Sequence, residues 1–331
     1  MKKRKVIFII FFLIFPAFAS SGAPQKSRTV VFTYSIALRG LPLQTREIKI
    51  WVPYPAENEF QKVTPLDLTS PSPHSITSDR IYNNKMLYYI IRRPKSRELQ
   101  VKQSYKASRF EFVRDLKNGG IKKENEGHAS IKKYLKANKF ISITPETRKI
   151  AKEISGAAKT TVEKARSLYR YIWENYTYDK TVPGWGSGDV NRFCLLKKGN
   201  CTDFHTLFIS VANAMGIPAK FVIGFSLPKK NSGGTDSYHC WLEFYDPDTG
   251  WVPLDIAEAW KDRSKFNYNF GAVDENRIEF THGRDITLSP AQNNGSLNYF
   301  IYPYVEVDGK EFTDVKMTLE FKNVKQERSG I

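Results

Sequence analysis

The sequence predicts an α+β protein in which an all-β, sandwich-like domain precedes helices that pack on an antiparallel sheet. From residue 29 to about residue 113, short segments of strand-like pattern are separated by Pro, Asn, Ser and Gly. A helix start follows at Thr144, with Pro145 at the first helical position. Strand-like segments return after Pro218. Strands that are followed by helices and further strands are typical of α+β layers.

Four parts are expected along the chain. Residues 1–19 form a signal peptide, and residues 20–115 form the sandwich-like domain. Residues 116–143 are charged and contain Gly, which indicates a linker with one short helix. Residues 144–331 form the second domain, including a β-rich C-terminal extension.

The N-terminus has the features of an export signal. Four basic residues precede an apolar run from Val6 to Phe15, and the small-residue pattern Ala17-Phe18-Ala19 follows. The run is shorter than the roughly 20 residues that span a bilayer. We therefore expect cleavage after Ala19 and a periplasmic or secreted protein without a membrane span, with an uncleaved N-terminal anchor as the alternative.

The charge balance suggests which surfaces the protein meets. Its formal net charge is +17, and removal of the four basic signal residues leaves +13. Such a charge attracts a protein to acidic polymers, including those of cell walls. The lysines are dispersed and no nucleic-acid motif accompanies them, so no nucleic-acid partner is expected. Location and charge together favour a peptide or protein substrate, with cell-wall peptides as one candidate.

The segment GNCTDFH, residues 199–205, places a cysteine at the start of a helix. Asn200 is a favoured N-cap residue, and Asp203 three positions later completes a capping arrangement. The helix should end at Gly216. In the first turn, unpaired N–H groups and the helix dipole favour negative charge. The thiol of Cys201 should therefore ionise more easily than an ordinary thiol.

A cysteine nucleophile needs a histidine base and a group that orients this base. In SYHCWLEFYDPDTGWVPLDI, a turn at residues 246–250 pairs Tyr245 with Trp251. With this register, His239 and Asp255 share a face of the hairpin as diagonal neighbours. A slip of one residue would separate them. The hairpin therefore predicts a His–carboxylate pair.

The other histidine and cysteines have weaker claims. His205 lies one turn along the helix from Cys201, so we expect it to pack or hydrogen-bond beneath the site. The odd count of three cysteines leaves at least one thiol free. A disulfide between Cys194 and Cys240, a bridge from Cys194 to Cys201, and free thiols all stay open. Because Cys240 follows His239 on a strand, it should face away from the site.

Three blocks resemble the transglutaminase-like superfamily: GNCTDFHTLFISVANAMGIPAKFVIGF, YHCWLEFY and GWVPLDIAEAW. In that family a Cys, a His and an Asp follow one another in this order. The resemblance covers about residues 144–260 and implies a papain-like core, with a Cys-bearing helix on an antiparallel sheet. It implies that Cys201 is the nucleophile, that His239 is the base and then the acid, and that Asp255 orients the imidazole.

The implied reaction is attack on an amide or peptide carbonyl, with a thioester that water or another amine resolves. The N–H of Cys201 is an expected oxyanion donor, and Trp185 is a second donor, a wall of the substrate site or a packing residue. No cofactor or metal is expected, because the chain has no acidic calcium loop and because Cys201, His205, His239 and Asp255 lack a zinc-ligand spacing. Hydrolysis is therefore favoured over protein crosslinking by acyl transfer. A non-catalytic binding module is the third alternative.

Overall fold

The computed structural model describes residues 25–116, 128–235 and 237–324, so the predicted signal peptide lies outside the described residues. The helices are α1 (His128–Lys132), α2 (Pro145–Ala157), α3 (Thr161–Asn175), α4 (Val190–Leu196), α5 (Cys201–Ala214) and α6 (Ile256–Lys261). The strands are β1 (Ser27–Leu38), β2 (Glu47–Pro53), β3 (Gln61–Thr69), β4 (His74–Ser78), β5 (Lys85–Arg92), β6 (Leu99–Phe110), β7 (Phe112–Val113), β8 (Thr177–Tyr178), β9 (Lys198–Gly199), β10 (Ala219–Ser226), β11 (Ser232–Thr235), β12 (Tyr238–Asp246), β13 (Gly250–Leu254), β14 (Ala272–Val273), β15 (Arg277–His282), β16 (Tyr304–Val307), β17 (Lys310–Glu311) and β18 (Val315–Asn323).

Two five-stranded sheets form the N-terminal sandwich, with the orders β11-β18-β1-β6-β3 and β17-β16-β2-β5-β4. In β1 every second side chain is buried, which is the period expected of a strand with one face on a core. Phe32 and Tyr34 of β1 share that core with Ile50 of β2 and Tyr89 of β5. Non-directional burial of these apolar faces holds the two sheets together.

The strands at the C-terminal end belong to the sandwich. β18 pairs with β1, with Leu319 opposite Tyr34, and β16 pairs with β2, with Val305 opposite Ile50. The predicted second domain, residues 144–331, included these strands. The structure differs because strand pairing is non-local, so the end of the chain can add a strand to each N-terminal sheet.

The sandwich is the first layer of the molecule. The second layer is a four-stranded antiparallel sheet of order β13-β12-β10-β15, against which α5 packs. The α+β class is confirmed, and α2 begins after the predicted Thr144 cap. The next helix, α3, also begins after a threonine cap, Thr160. Tyr34 of the sandwich contacts the rings of Phe225 and Phe280 at centroid distances of 6.2 and 5.9 Å. One apolar cluster therefore runs through both layers. Within the described ranges, no helix is both long enough and apolar enough to cross a bilayer.

The hairpin that carries the predicted His–carboxylate pair has the predicted register. Tyr245 lies opposite Trp251, and the ladder continues to Leu242 opposite Leu254. It ends there, because Asp255 leaves the strand and caps α6 through its side chain. Asp255 therefore reaches the site from the start of a helix rather than from a strand.

Candidate active site

The first turn of α5 holds Cys201. Oδ1 of Asn200 accepts a hydrogen bond from the N–H of Thr202 at 2.9 Å, and Oδ2 of Asp203 accepts one from the N–H of Asn200 at 2.9 Å. These two bonds confirm the predicted cap and fix where the helix begins. The side chain of Cys201 is buried, with 2% of its surface exposed. Within the described ranges, no residue accepts a hydrogen bond from the Cys201 N–H, which leaves this donor for a ligand.

Asp203 also tethers the loop that precedes α4. Its buried carboxylate accepts hydrogen bonds from the N–H groups of Gly186 at 2.7 Å and Gly188 at 3.0 Å, and from Nη2 of Arg192 at 2.7 Å. Both glycines have positive φ, which lets the backbone turn its N–H groups toward the carboxylate. Sequence reasoning found the cap and missed this tether, because the glycine spacing alone does not identify an acceptor.

The tethered loop places Trp185 beside the first turn of α5. A Cβ added at the next residue, Gly186, would lie 3.2 Å from Nδ2 of Asn200, so the loop is in close contact with the cap. The Trp185 side chain is 41% exposed, and Nζ of Lys180 lies 5.4 Å from its ring centroid. Both roles expected of Trp185, a wall of the substrate site and an oxyanion donor, stay predictions.

His239 and Asp255 meet as a buried pair. Nε2 of His239 lies 2.6 Å from Oδ2 of Asp255. Oδ1 of Asp255 accepts the N–H of Glu258 at 2.9 Å, so the first turn of α6 fixes the carboxylate. Since Nε2 is occupied, Nδ1 is the nitrogen that is left for the hydrogen bond between His239 and Cys201. The structure therefore brings Cys201, His239 and Asp255 together in that order.

The site favours a thiolate and an imidazolium. Burial alone would raise the pKa of Cys201, but hydrogen bonds from Cys240 and His239 and the charge of His239 hold it well below its ordinary value. Burial alone would lower the pKa of His239, whereas the charge of Asp255 raises it to about 9. The pKa of Asp255 is held well below its ordinary value despite burial, because His239 and Arg277 carry positive charge beside it.

Arg277 is a site residue that sequence reasoning missed. Its Nη1 lies 3.0 Å from Oδ2 of Asp255, and its Nε lies 3.5 Å from Oδ1 of Asp274. The guanidinium carbon lies 5.4 Å from the ring centroid of Trp241, which packs against it. No local pattern could reveal this contact, because β15 reaches β12 only through β10.

Cys240 does not face away from the site, and that prediction is wrong. Its Sγ lies 3.5 Å from Nδ1 of His205 and 3.8 Å from Oγ1 of Thr202, and its thiol hydrogen-bonds to Cys201. Strand alternation does put Cys240 on the face opposite His239, but α5 covers that face with its first turns. All three cysteines of the chain are free thiols.

His205 lies beneath the site, where the sequence placed it. Its Nε2 lies 3.2 Å from the donating N–H of Ile256 and 3.5 Å from Oδ1 of Asp255. Because Nε2 accepts the backbone N–H of Ile256, the ring proton is assigned to Nδ1 and points at Cys240. His205 thus supports the start of α6 and the second thiol.

The arrangement combines a thiol of lowered pKa, an imidazole of raised pKa and, at the same helix start, a backbone N–H that no described residue accepts. These are the groups that acyl transfer through a thioester needs. Among the residues that the structure describes, no group of three or more His, Cys, Asp and Glu side chains is arranged to hold a metal ion.

The segment that contains all three predicted catalytic residues matches a known family. Residues 148–256 match the model of the transglutaminase-like superfamily. A solved structure from Cytophaga hutchinsonii, provisionally named a cysteine protease, has a TM-score of 0.60 at 13% identity and covers 92% of this chain and 93% of that chain. At that identity the likeness shows a shared fold.

Two relatives are similar in sequence. A Haemophilus influenzae protein of uncharacterised function is 28% identical over 300 residues, which are 80% of this chain and 81% of that protein. A Pseudomonas aeruginosa protein-glutamine gamma-glutamyltransferase is 29% identical over 119 residues, which are 34% of this chain and 18% of that enzyme. Residues 148–256, which carry the Cys-bearing helix and the His–Asp hairpin, therefore form a transglutaminase-like segment of this chain.

Proposed function

We propose that this protein is an exported thiol enzyme that cleaves an amide or peptide bond through Cys201, His239 and Asp255. The observation that carries the proposal is the buried series of contacts from the Cys201 thiol through the His239 ring to Asp255, with 2.6 Å between Nε2 and Oδ2. A binding surface has no need of an ionised thiol in contact with an oriented imidazolium. The same series therefore argues against a non-catalytic binding module.

The geometry supports a two-step reaction. The Cys201 thiolate attacks the carbonyl carbon, a C–S bond forms, and the Cys201 N–H stabilises the oxyanion. The imidazolium of His239 gives its proton to the leaving amine as the C–N bond breaks, which leaves a thioester. Neutral His239 then takes a proton from a water molecule that attacks the thioester, and the thiolate leaves. Asp255 keeps Nδ1 of the ring directed at the reacting atoms in both steps.

Acyl transfer to an amine is the second candidate. It differs from hydrolysis only in the nucleophile that resolves the thioester, and the name of the Pseudomonas relative favours it. We infer a peptide or protein substrate, with a cell-wall association that the +13 charge after signal removal would favour. The predicted signal supports a periplasmic or secreted location, and Trp185 is proposed as a wall or donor at the substrate site.

The test of the proposal is alkylation of Cys201 by iodoacetamide, a thiol reagent that carries a carboxamide. In the mature protein Cys201 should react faster than free cysteine at neutral pH, because its pKa is lowered. His239→Ala should slow this reaction, and Cys201→Ala should abolish it at that position. Cys194→Ala is the matched control and should react as wild type does. The proposal is wrong if Cys201 reacts no faster than free cysteine and if His239→Ala leaves that rate unchanged.

Product analysis then distinguishes the candidates. A library of peptides is incubated with the wild-type protein, with and without an added primary amine. Hydrolysis predicts a carboxylic acid in both cases, and acyl transfer predicts that the amine appears in the product. Labelling of Cys201 without turnover of any peptide would favour the binding module.

The pH dependence of cleavage should differ from that of alkylation. Because the pKa of Cys201 is lowered, its thiol stays ionised at pH values below the ordinary pKa of a thiol. Alkylation should therefore decline only as pH passes through the lowered pKa. The pKa of His239 is raised to about 9, so its proton is lost as pH rises through that value. Cleavage needs this proton and should fall above about pH 9, whereas alkylation does not need it and should not fall. Parallel decline of the two rates at high pH would contradict the assigned acid.

A further inference from the structure

We propose that Cys240 is the resolving thiol for Cys201, so that oxidation by a hydroperoxide ends in a Cys201–Cys240 disulfide that reversibly blocks the site. The proposal rests on the nucleophilic role proposed for Cys201. Formation of the disulfide can nevertheless be measured without any substrate, so the two proposals can fail separately.

The contacts single out Cys240 as the partner. Its Sγ lies 3.5 Å from Nδ1 of His205 and 3.8 Å from Oγ1 of Thr202, so it packs against the first turns of α5, which carry Cys201, and both thiols are buried. Cys194 lies on α4 instead, where its Sγ is 3.9 Å from the hydroxyl of Tyr176. Disulfide formation requires two sulfur atoms that approach without movement of large parts of the backbone. Cys240 lies against the helix turn that carries Cys201, whereas Cys194 lies on α4.

The first step uses the reactive thiolate. The Cys201 thiolate attacks the distal oxygen of the hydroperoxide, an S–O bond forms and the O–O bond breaks. The sulfur loses two electrons to the peroxide, which leaves as an alcohol or as water after it takes up a proton. The His239 imidazolium beside the thiolate is the proton donor that the site supplies.

The second step uses the contact between the two sulfurs. The Cys240 sulfur attacks the Cys201 sulfur, an S–S bond forms and the S–O bond breaks. Hydroxide leaves and takes the proton of the Cys240 thiol, so that the products are one disulfide and one water. Nδ1–H of His205, 3.5 Å from the Cys240 sulfur, stabilises the negative charge that develops there. Thr202 adds a second polar contact to this sulfur at 3.8 Å.

The disulfide would protect the site. Without a resolving thiol, sulfenic acid proceeds to sulfinic and sulfonic acids, which thiol reductants do not reverse. An exported protein meets oxidising conditions in which this protection is useful. A dithiol reductant would restore both thiols and, with them, the Cys201 nucleophile.

The experiment treats the reduced full-length mature protein with about equimolar hydrogen peroxide, denatures it in N-ethylmaleimide and maps its peptides by mass spectrometry. We expect a linked peptide pair that contains Cys201 and Cys240, and a free, maleimide-labelled Cys194. Iodoacetamide reactivity of Cys201 should be lost and then recovered with dithiothreitol. Cys194→Ala is the matched control and should give the same linked pair and the same recovery.

The variant Cys240→Ala should instead accumulate sulfinic or sulfonic acid at Cys201 and recover less than about a tenth of its reactivity. Cys240→Ser is the second variant, because serine leaves a smaller cavity than alanine does. Wild-type protein in which Cys201 is oxidised while Cys240 is labelled by maleimide would overturn the proposal. Full recovery of Cys240→Ala would do the same.

Discussion

Replacement of Asp255 by asparagine should lower the rate of amide cleavage about 10⁴-fold. The carboxylate accepts the Nε2–H of His239 at 2.6 Å, which keeps Nδ1 free to exchange a proton with Cys201. The amide nitrogen of asparagine would donate toward Nε2 and favour the other tautomer, with the proton on Nδ1. The variant would also leave Arg277 without its buried anionic partner, and the pKa of His239 would fall.

The control for this variant is Asp246→Asn, which makes the same chemical change at the other end of the hairpin. Asp246 is buried and accepts hydrogen bonds from the N–H and the hydroxyl of Thr249 at 3.0 and 2.8 Å. It contacts none of the site residues described above, so cleavage should persist. Circular dichroism should first show that both variants are folded. A folded Asp255→Asn protein that retains more than about a tenth of the wild-type rate would exclude the tautomer argument.

A second readout of Asp255→Asn needs no substrate. In wild-type protein the raised pKa of His239 keeps an imidazolium beside the Cys201 thiolate at neutral pH. Loss of the Asp255 charge lowers the pKa of that imidazole, so the thiolate loses a counter-charge. Iodoacetamide alkylation at mildly acidic pH should therefore slow in Asp255→Asn and be unchanged in Asp246→Asn.

The sequence predicted the parts of the site that local chemistry determines. The cap of α5 depends on Asn200 and Asp203, which are near neighbours in the chain, and it forms as expected. The hairpin register depends on the turn, and Tyr245 does face Trp251. Only the way in which Asp255 reaches His239 differs, because the chain leaves the ladder one residue earlier and starts α6.

The remaining contacts are set by tertiary structure and carry no local signal. Arg277 reaches Asp255 through the order of strands in the sheet, which one sequence does not specify. Cys240 approaches Cys201 because α5 lies on that face of β12, and alternation along a strand says nothing of which element covers each face. The pairing of β18 with β1 is non-local in the same sense.

The substitution Glu279→Gln should lower the free energy of unfolding by about 3–5 kcal/mol, the range for breaking a buried ion pair from one side. Glu279 on β15 accepts a hydrogen bond from Nη1 of Arg109 on β6 at 3.0 Å, and the two side chains are 3% and 1% exposed. Asn58 and His282 contact Oε1 of the same carboxylate at 3.1 and 2.5 Å. Glutamine keeps the shape of the side chain but leaves the Arg109 charge buried without its partner. This charge lies at the contact between the sandwich and the second layer.

The pH dependence of this loss identifies its cause. Burial alone would raise the pKa of Glu279, but the hydrogen bond from His282 and the charge of Arg109 hold it well below its ordinary value. A group whose pKa is lowered on folding contributes stability above its unfolded pKa, about 4.3 for glutamate, and loses it as pH falls toward the folded pKa. Urea unfolding of wild-type and Glu279→Gln protein should therefore give curves that converge at acidic pH. Glu47→Gln, in a part-exposed pair with Arg92, is the control and should cost less than about 1 kcal/mol. If Glu279→Gln costs no more than this control, or if its cost is the same at every pH, the buried pair does not stabilise the contact between the two layers.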